Sequence, residues 1–400
     1  MPQSVKVAFI NENTLGHASY LLPFVNELRR RPELGITPVL MNATPLPARL
    51  AFRASFSIRG LRKWGLDFHN SRWRMAVSRY VRDQLVPLVD RSQIDAIVVN
   101  TQSVALALAE ITRRAPVFVC LDATFHQLSG SHWFAPNAAS RFFLPMTTAV
   151  LRNRERKILE RASGLFAWSE GVRSSLISDY GCDPERVTVL PPSTNLHNRS
   201  RKQPKNDRPQ ILFIGGDFRR KGGNVLMDCY RRWFSTTCDL HVVTQSCIEG
   251  GPGIYIHRDI APYSDAWFER WHAADVFVFP SALETFGIVL VEALAFEVPV
   301  ISADVGAARF VLAEGNAGCL LRCQSDETIS SEVLAEALTR VLLDRAETRQ
   351  RSTAGRKQVE ELFDLSRNTE RLAARLKGGH SGRVPRSVSE SSASESIAHL

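Results

Sequence analysis

The sequence predicts two α/β domains, each a mostly parallel sheet covered by helices, facing each other across a central cleft. Three observations predict this. Short β-branched and apolar runs alternate with amphipathic stretches along most of the chain. The alternation stops at a polar, Pro-containing stretch near residue 200 and then restarts. With 400 residues the chain exceeds what one ordinary hydrophobic core accommodates, so two cores are expected.

In the first half the strand-like runs are 5–10, 37–41, 96–100, 117–121, 164–168 and 188–190. Between the first two, residues 19–31 carry Leu21, Leu22, Phe24, Val25 and Leu28 at helical spacing, one apolar face for a sheet. Pro191-Pro192 closes the last run, and 197–209 reads as a linker. The second half repeats the pattern at 210–214, 240–244, 253–257, 276–280, 298–302 and 318–321. Each half reads as a Rossmann-like unit, residues 1–198 and 199–377, with the last helix free to cross back onto the first unit. From Gly378 the chain turns to Ser, Gly, Arg and Glu, so 378–400 reads as a disordered tail. Ligands of open α/β sheets bind beyond the carboxyl ends of the strands, so residues just after strands should carry the chemistry.

The composition narrows the setting. The apolar fraction of 44% is that of a globular protein. No apolar run approaches the ~18–20 residues that span a bilayer, and the N-terminus enters a strand without the regions of a signal peptide. The expected location is the cytoplasm. The seven cysteines are odd in number and scattered; Cys319 and Cys323 lack a neighbouring His or second pair, so buried reduced thiols and no metal site are expected.

The net charge of +9 favours anionic partners. From 49 to 79 the basic residues Arg49, Arg53, Arg59, Arg62, Lys63, Arg72, Arg74 and Arg79 face one acid, Asp67, with Phe52, Phe56, Trp64, Phe68 and Trp73 among them. That mixture suits the headgroup region of an anionic membrane, and equally a solvated surface with its aromatics turned inward. The first reading places the protein peripherally on the inner face of the membrane.

The strongest chemical signal follows the run 276–280. Residues 281–287 read as a loop, and a helix begins near Gly287. Gly287 lets a ligand approach the free N–H groups of the first helical turn at Ile288, which favour phosphate. Glu284 precedes the helix and Glu292 lies about two turns into it; carboxylates there accept hydrogen bonds from sugar or ribose hydroxyls. Glu292 stands in the apolar run Ile288, Val289, Leu290, Val291, Ala293, Leu294, so it should have a partner. After 210–214 comes Gly215-Gly216-Asp217-Phe218-Arg219-Arg220-Lys221-Gly222-Gly223, a glycine-rich turn whose cations can neutralise a diphosphate. In the first half, Gly16-His17 follows the first run, and Asp122 and His126 follow 117–121.

Glu284 and Glu292, eight apart around Phe286-Gly287, resemble the paired-glutamate signature of the family-4 retaining glycosyltransferases, which have the GT-B fold. Residues 273–280, Pro299-Val300-Ile301, Val305-Gly306 and Gly318 match the same pattern in order, and the stretches 166–170 and 179–192 are also similar. The resemblance implies that Glu284 contacts the donor sugar and Glu292 the ribose. It implies that Lys221 holds the donor pyrophosphate with Gly215, Gly216, Phe286, Gly287 and Ile288 around the donor. The family's Arg position is Gly216 here, which leaves Arg219 or Arg220 to supply the charge. Gly16 and His17 stand on the acceptor side. The family's His after the fourth strand is replaced by Asp122, with His126 four residues on; either can lie at the reacting sugar. Ser193-Thr194-Asn195 stands where Gly-x-Asp is usual, and Glu297 where a Gly is expected; a left-handed backbone there costs about 1 kcal/mol.

The expected activity is transfer of a hexose-type sugar from a nucleotide diphosphate sugar to a sugar or lipid-linked acceptor, with retention, in glycan or glycolipid synthesis. No Asp-x-Asp occurs, so no metal or other cofactor is expected, and Lys221, an Arg and helix N–H groups stabilise the leaving group. A sugar-nucleotide epimerase or a phosphorylase on the same fold is the alternative. A basic nucleic-acid-binding protein is a further one, although the sequence holds no recognition module for nucleic acid.

Overall fold

A computed structural model describes residues 4–381 except 13–16, 18–19, 58–59, 62–65, 67, 130–137, 197–206 and 324–328. Two six-stranded sheets carry the fold, and every strand pair in them is parallel. The first comprises β1 (Val5–Asn11), β2 (Ile36–Asn42), β3 (Ala96–Asn100), β4 (Val117–Leu121), β5 (Gly164–Ala167) and β6 (Val187–Val189), in the order β2-β1-β3-β4-β5-β6. The second comprises β7 (Gln210–Ile214), β8 (Asp239–Val243), β9 (Ile254–His257), β10 (Val276–Phe279), β11 (Val300–Ala303) and β12 (Cys319–Leu321), in the order β12-β11-β10-β7-β8-β9. All twelve runs expected from the sequence are strands, with ends moved by at most two residues.

The central strands are buried throughout because helices cover both of their faces; every residue of β3, β4, β5 and β10 is buried, and all but Asn100 at the end of β3 are non-polar. In each sheet the strand order reverses beside the first strand of its unit, at β1/β3 and at β7/β10. Such a switch point splays the two loops that leave it and opens a crevice. The register sets Phe9 beside Val98 and Leu212 beside Phe277, so both strands of each pair end at a similar height.

The helix Leu21–Arg30 buries Leu21, Phe24, Val25 and Leu28, as its spacing predicts. Leu22, expected on the same face, is exposed because it lies one residue on from Leu21, about 100° around the helix. Ser169, Ser264 and Ser330 cap the helices that follow them by accepting an N–H of the first turn. The last helix, Leu365–Ser381, buries Leu372, Ala373 and Leu376. It packs on the helix Leu21–Arg30, and Arg31 pairs with Glu370 at 2.7 Å. Arg371 donates to the Val189 carbonyl at 3.0 Å, and Thr194 bridges to Asp364. This helix continues through Gly378 to Ser381, because Leu372 and Leu376 extend its buried stripe; 382–400, the rest of the expected tail, lie outside the described residues, as do 197–206 of the expected linker.

All seven cysteines are free; Cys120, Cys182, Cys229 and Cys238 are buried, whereas Cys247 is exposed. Glu297 is left-handed (φ 56°), the conformation for which the sequence reading expected glycine, and its carboxylate lies 3.6 Å from Arg356. Among the described residues no helix is long and apolar enough to cross a membrane.

Candidate active site

The loop after β7 is shaped by three glycines. Gly215 donates its N–H to the Val243 carbonyl at 2.9 Å, and a Cβ there would press on the Lys221 side chain at 3.1 Å. Gly222 is left-handed (φ +77°), and a Cβ on it would stand 2.0 Å from the Pro280 carbonyl. Gly223 would meet the Phe218 ring at 2.3 Å. Glycine at these positions lets the loop after β7 close directly onto the end of β10. Lys221 is thereby carried to Glu284. Its ammonium donates to Glu284 Oε2 and lies 5.2 Å from the centre of the Phe279 ring. The two side chains are only 14% and 13% exposed. Burial lowers the Lys221 pKa, opposed by the Glu284 charge.

The far side of this pair is equally constrained. Gly287 is left-handed (φ +82°) and opens the helix Ile288–Ala295. Gly306 (φ +56°) presses its backbone on the Glu284 carbonyl, where a Cβ would stand at 2.2 Å, and Ala307 N–H donates to the Thr285 carbonyl at 3.0 Å. Glu292, on the first turns of the helix, keeps a partial opening to solvent and accepts from the Tyr263 hydroxyl at 3.2 Å. Burial nevertheless raises its pKa to about 7, with the Tyr263 bond working against the rise. Tyr263 itself is left-handed (φ 65°), and the Glu292 charge followed by burial raises its pKa. Arg220 lies 3.7 Å from Asp217, and Arg219 is exposed. Gly216 is exposed, and its carbonyl accepts from Thr244 and Ser246 at 3.2 Å each.

At the carboxyl edge of the first sheet, the residues after β1, β3 and β4 converge. His17 Nε2 lies 3.5 Å from Asp122 Oδ2, and Asn100 donates to the His17 carbonyl at 3.1 Å. Glu12 accepts from Thr101 at 2.8 Å and from Ser103 at 3.2 Å. Arg74 reaches this edge from the helix His69–Asp90. Burial lowers its pKa, and the charges of Glu12, Asp122 and Glu155 oppose that. Among the described residues His17 Nδ1, Asn100 Oδ1, Gln102 Oε1 and Trp168 Nε1 are buried without a hydrogen-bond partner. Polar atoms left in that condition are costly, and a cluster of them invites a hydroxyl-rich ligand.

An aromatic contact joins the two carboxyl edges. Trp168, just after β5, stacks on Tyr20 at 4.3 Å, and the buried Phe286, between Glu284 and Gly287, meets it edge-on at 5.8 Å. His17 also meets the Trp168 ring at 5.5 Å, so the loop that carries Glu284 and the His17–Asp122 pair flank this aromatic contact.

Of the expected site residues, the structure brings together Gly215, Lys221, Glu284, Gly287 and Ile288 around one loop pair, with Glu292 two turns along the helix. Phe286 is placed in the seam between the halves, against Trp168 and Phe363, because its ring finds apolar neighbours there. His17 and Asp122 meet; Gly16 lies outside the described residues. His126 parts from Asp122. It is exposed, and its Nε2 lies 3.9 Å from Asp179, because it starts the short helix Phe125–Ser129, which turns it outward. The sequence reading missed Arg74, Tyr263, Trp168 and the polar run Asn100 to Ser103. The last was legible as a polar stretch directly after an apolar strand. Arg74, counted among surface cations, was not. Among the described residues no group of three or more His, Cys, Asp or Glu could hold a metal ion.

Comparison with known proteins agrees with this geometry. Residues 16–198 match the family described as "Glycosyltransferase Family 4", and residues 263–358 match "Glycosyl transferases group 1". The alpha-maltose-1-phosphate synthase of Mycolicibacterium smegmatis is 28% identical over 52% of this chain and 61% of its own length. A D-inositol 3-phosphate glycosyltransferase of Paenarthrobacter aurescens is 29% identical over 42% of this chain and 47% of its own. The chain thus spans about half the length of the curated relatives it matches. Among solved structures, the sucrose-phosphate synthase of Thermosynechococcus elongatus superposes with a TM-score of 0.68 at 17% identity, over 95% of this chain and 100% of that one. Anabaena HepE in complex with UDP-glucose superposes with a TM-score of 0.62 at 16% identity, over 93% and 99%. Two parallel six-stranded sheets and both family matches establish that the chain belongs to the family-4, group 1 glycosyltransferases of GT-B fold.

Proposed function

We propose that this protein transfers a hexose-type sugar from a nucleotide diphosphate sugar to an acceptor hydroxyl, with retention of anomeric configuration, in glycan or glycolipid synthesis. The observation that carries the reading is the buried Lys221–Glu284 pair, fixed by Gly222 and Gly306 beside the N-terminus of the helix Ile288–Ala295. In this reading Lys221, with Arg219 or Arg220, neutralises the diphosphate as it leaves, and the Gly287 turn offers N–H groups to its oxygens. Glu284 then exchanges its ammonium partner for donor-sugar hydroxyls, and Glu292 accepts the ribose hydroxyls. Asp122, paired with His17, is favoured over His126 at the reacting sugar, since His126 faces Asp179. The orphaned atoms of His17, Asn100 and Gln102 provide partners for sugar hydroxyls. The leaving phosphate assists deprotonation of the acceptor, so no carboxylate needs to attack the anomeric carbon.

The units 1–198 and 199–377 divide this work into an acceptor side and a donor side. The similar proteins support the donor class: HepE was solved with UDP-glucose, and two relatives are named for synthesis or transfer on a phosphorylated sugar or inositol. The setting is cytoplasmic, with the basic, aromatic segment 49–79 resting on an anionic membrane beside a sugar or lipid-linked acceptor. The experiment is release of UDP, GDP or ADP from the matching glucose donors, with and without a panel of sugar, sugar-phosphate and lipid-linked acceptors. Release that requires an acceptor supports transfer; conversion of the donor sugar without any acceptor would replace it with epimerisation.

A further inference from the structure

The segment 49–79 does not expose everything its composition offers. Trp73 packs against the first core and Arg74 turns to the cleft, whereas Phe52 (76% exposed), Phe56 and Phe68 face solvent; Trp64 lies outside the described residues. A second stretch that no motif singled out behaves the same way. On the helix Ala138–Arg161, Phe142 (77% exposed), Met146 and Val150 recur every four residues, so they form one ridge on its outer face. Ser71, near the start of the helix His69–Asp90, donates to the carbonyl of Thr147 at 2.6 Å, and Arg72 donates to the carbonyl of Phe56. These two bonds gather 48–56, the start of His69–Asp90 and the middle of Ala138–Arg161 at one corner. Scattered exposed apolar residues need no explanation, but a collected patch marks a surface with a partner.

The charges say which partner. Between Asp122 and Glu155 the sequence holds no acid, while Arg141, Arg152 and Arg154 lie within it. The same helix lines a cavity of about 230 Å³ with Arg152 and Arg156, facing His126, Tyr180 and the lone acid Asp179. Arg156 lies 5.6 Å from the centre of the Tyr180 ring, and its side chain is exposed. We propose that the ridge Phe142, Met146 and Val150, with Phe52 and Phe56, inserts into an anionic lipid bilayer, while Arg152 and Arg156 take a lipid headgroup phosphate. Apolar side chains flanked by cations that outnumber the one acid of the cavity, Asp179, match the interface of such a bilayer. This deepens the membrane reading of 49–79 and rests on it for that half of the surface; the sugar-transfer reading stands or falls separately.

The test is flotation of the full chain with vesicles of phosphatidylcholine alone or mixed equally with phosphatidylglycerol, at low and high salt. The expected result is binding to the anionic vesicles only, weakened by salt. Phe142→Ser/Met146→Ser should lower the partition coefficient about tenfold or more through lost apolar burial, as should Phe52→Ser/Phe56→Ser. Arg152→Gln/Arg156→Gln should remove the preference for phosphatidylglycerol. The exposed positions predict unchanged melting temperatures in all three variants. Wild-type protein that stays with the lipid-free fraction overturns the proposal, as does full binding by the Phe142→Ser/Met146→Ser variant. So does a dimer in solution that the same substitutions dissolve, which would make the patch a contact between copies. Donor turnover with a water-soluble acceptor, measured on the same preparations, should be unchanged; its absence in the wild type would count against sugar transfer and leave the lipid result intact.

Discussion

Glu292→Gln should make the protein more stable at pH 8 and a poorer nucleotide binder at the same time. In the native chain burial raises the Glu292 carboxyl from 4.5 to about 7. Between those values the native state holds a proton that the unfolded state has released, so stability falls as pH rises through the window. The gap corresponds to roughly 3 kcal/mol against the folded state above pH 7, and none below pH 4.5. The side chain keeps a partial opening to water, which reduces the expected figure to about 1–3 kcal/mol. Glutamine removes the charge while keeping an oxygen for the Tyr263 hydroxyl. Urea denaturation of wild type and variant at pH 4 and pH 8 isolates the effect, because other groups such as Glu155, also raised to about 7 by burial, cancel in the difference. The expected outcome is equal stability at pH 4 and a gain in the variant at pH 8. A variant that is no more stable than wild type at pH 8 refutes the reasoning. By the same linkage, wild-type affinity for a nucleotide diphosphate should fall as pH drops below about 7, where Glu292 protonates, and the variant should lose that dependence.

Lys221→Ala should slow turnover by more than about tenfold, since it strips the leaving group of its buried cation; a smaller loss would move that role to Arg219 and Arg220. Gly222→Ala should destabilise the protein by about 2–5 kcal/mol, because the new methyl meets the Pro280 carbonyl in a left-handed backbone. Thermal melting checks it, and an unchanged midpoint would mean that the two loops do not close on each other. Turnover should survive EDTA, because Lys221 carries the charge on the diphosphate; loss that manganese or magnesium restores would contradict the mechanism.

The strands and the glycine-bearing loops after β7 and β10 were legible because each has a local cause. Buried parallel strands are continuous apolar runs, Gly222 and Gly306 mark points where backbone meets backbone, and Gly287 marks a left-handed turn into a helix. The pairing of Lys221 with Glu284 joins residues 63 positions apart, and only the parallel β7–β10 neighbourhood explains it. Arg74 shows what sequence hides: it sits among surface cations in order along the chain, yet a turn of helix carries it to Glu12 and Asp122. His126 erred in the opposite direction, since closeness to a strand end did not fix which way a short helix turns it. Phe286 belongs to the motif by position and to the seam by its ring. The exposed ridge on Ala138–Arg161 escaped notice because the buried face holds Thr147 and Glu155 beside Leu151, so hydrophobic periodicity does not separate the two faces.

The central claim is that one site, built on Lys221, Glu284 and Glu292, binds a nucleotide diphosphate sugar and transfers its sugar. Its most direct measurement pairs nucleotide affinity, by calorimetric titration, with acceptor-dependent turnover in Glu284→Ala and Glu292→Ala. The account predicts that Glu292→Ala loses nucleotide affinity by about 2–4 kcal/mol, the cost of a charge-assisted bond in a closed site. Glu284→Ala should keep its affinity for the nucleotide and lose turnover. Wild-type turnover in both variants would contradict the account.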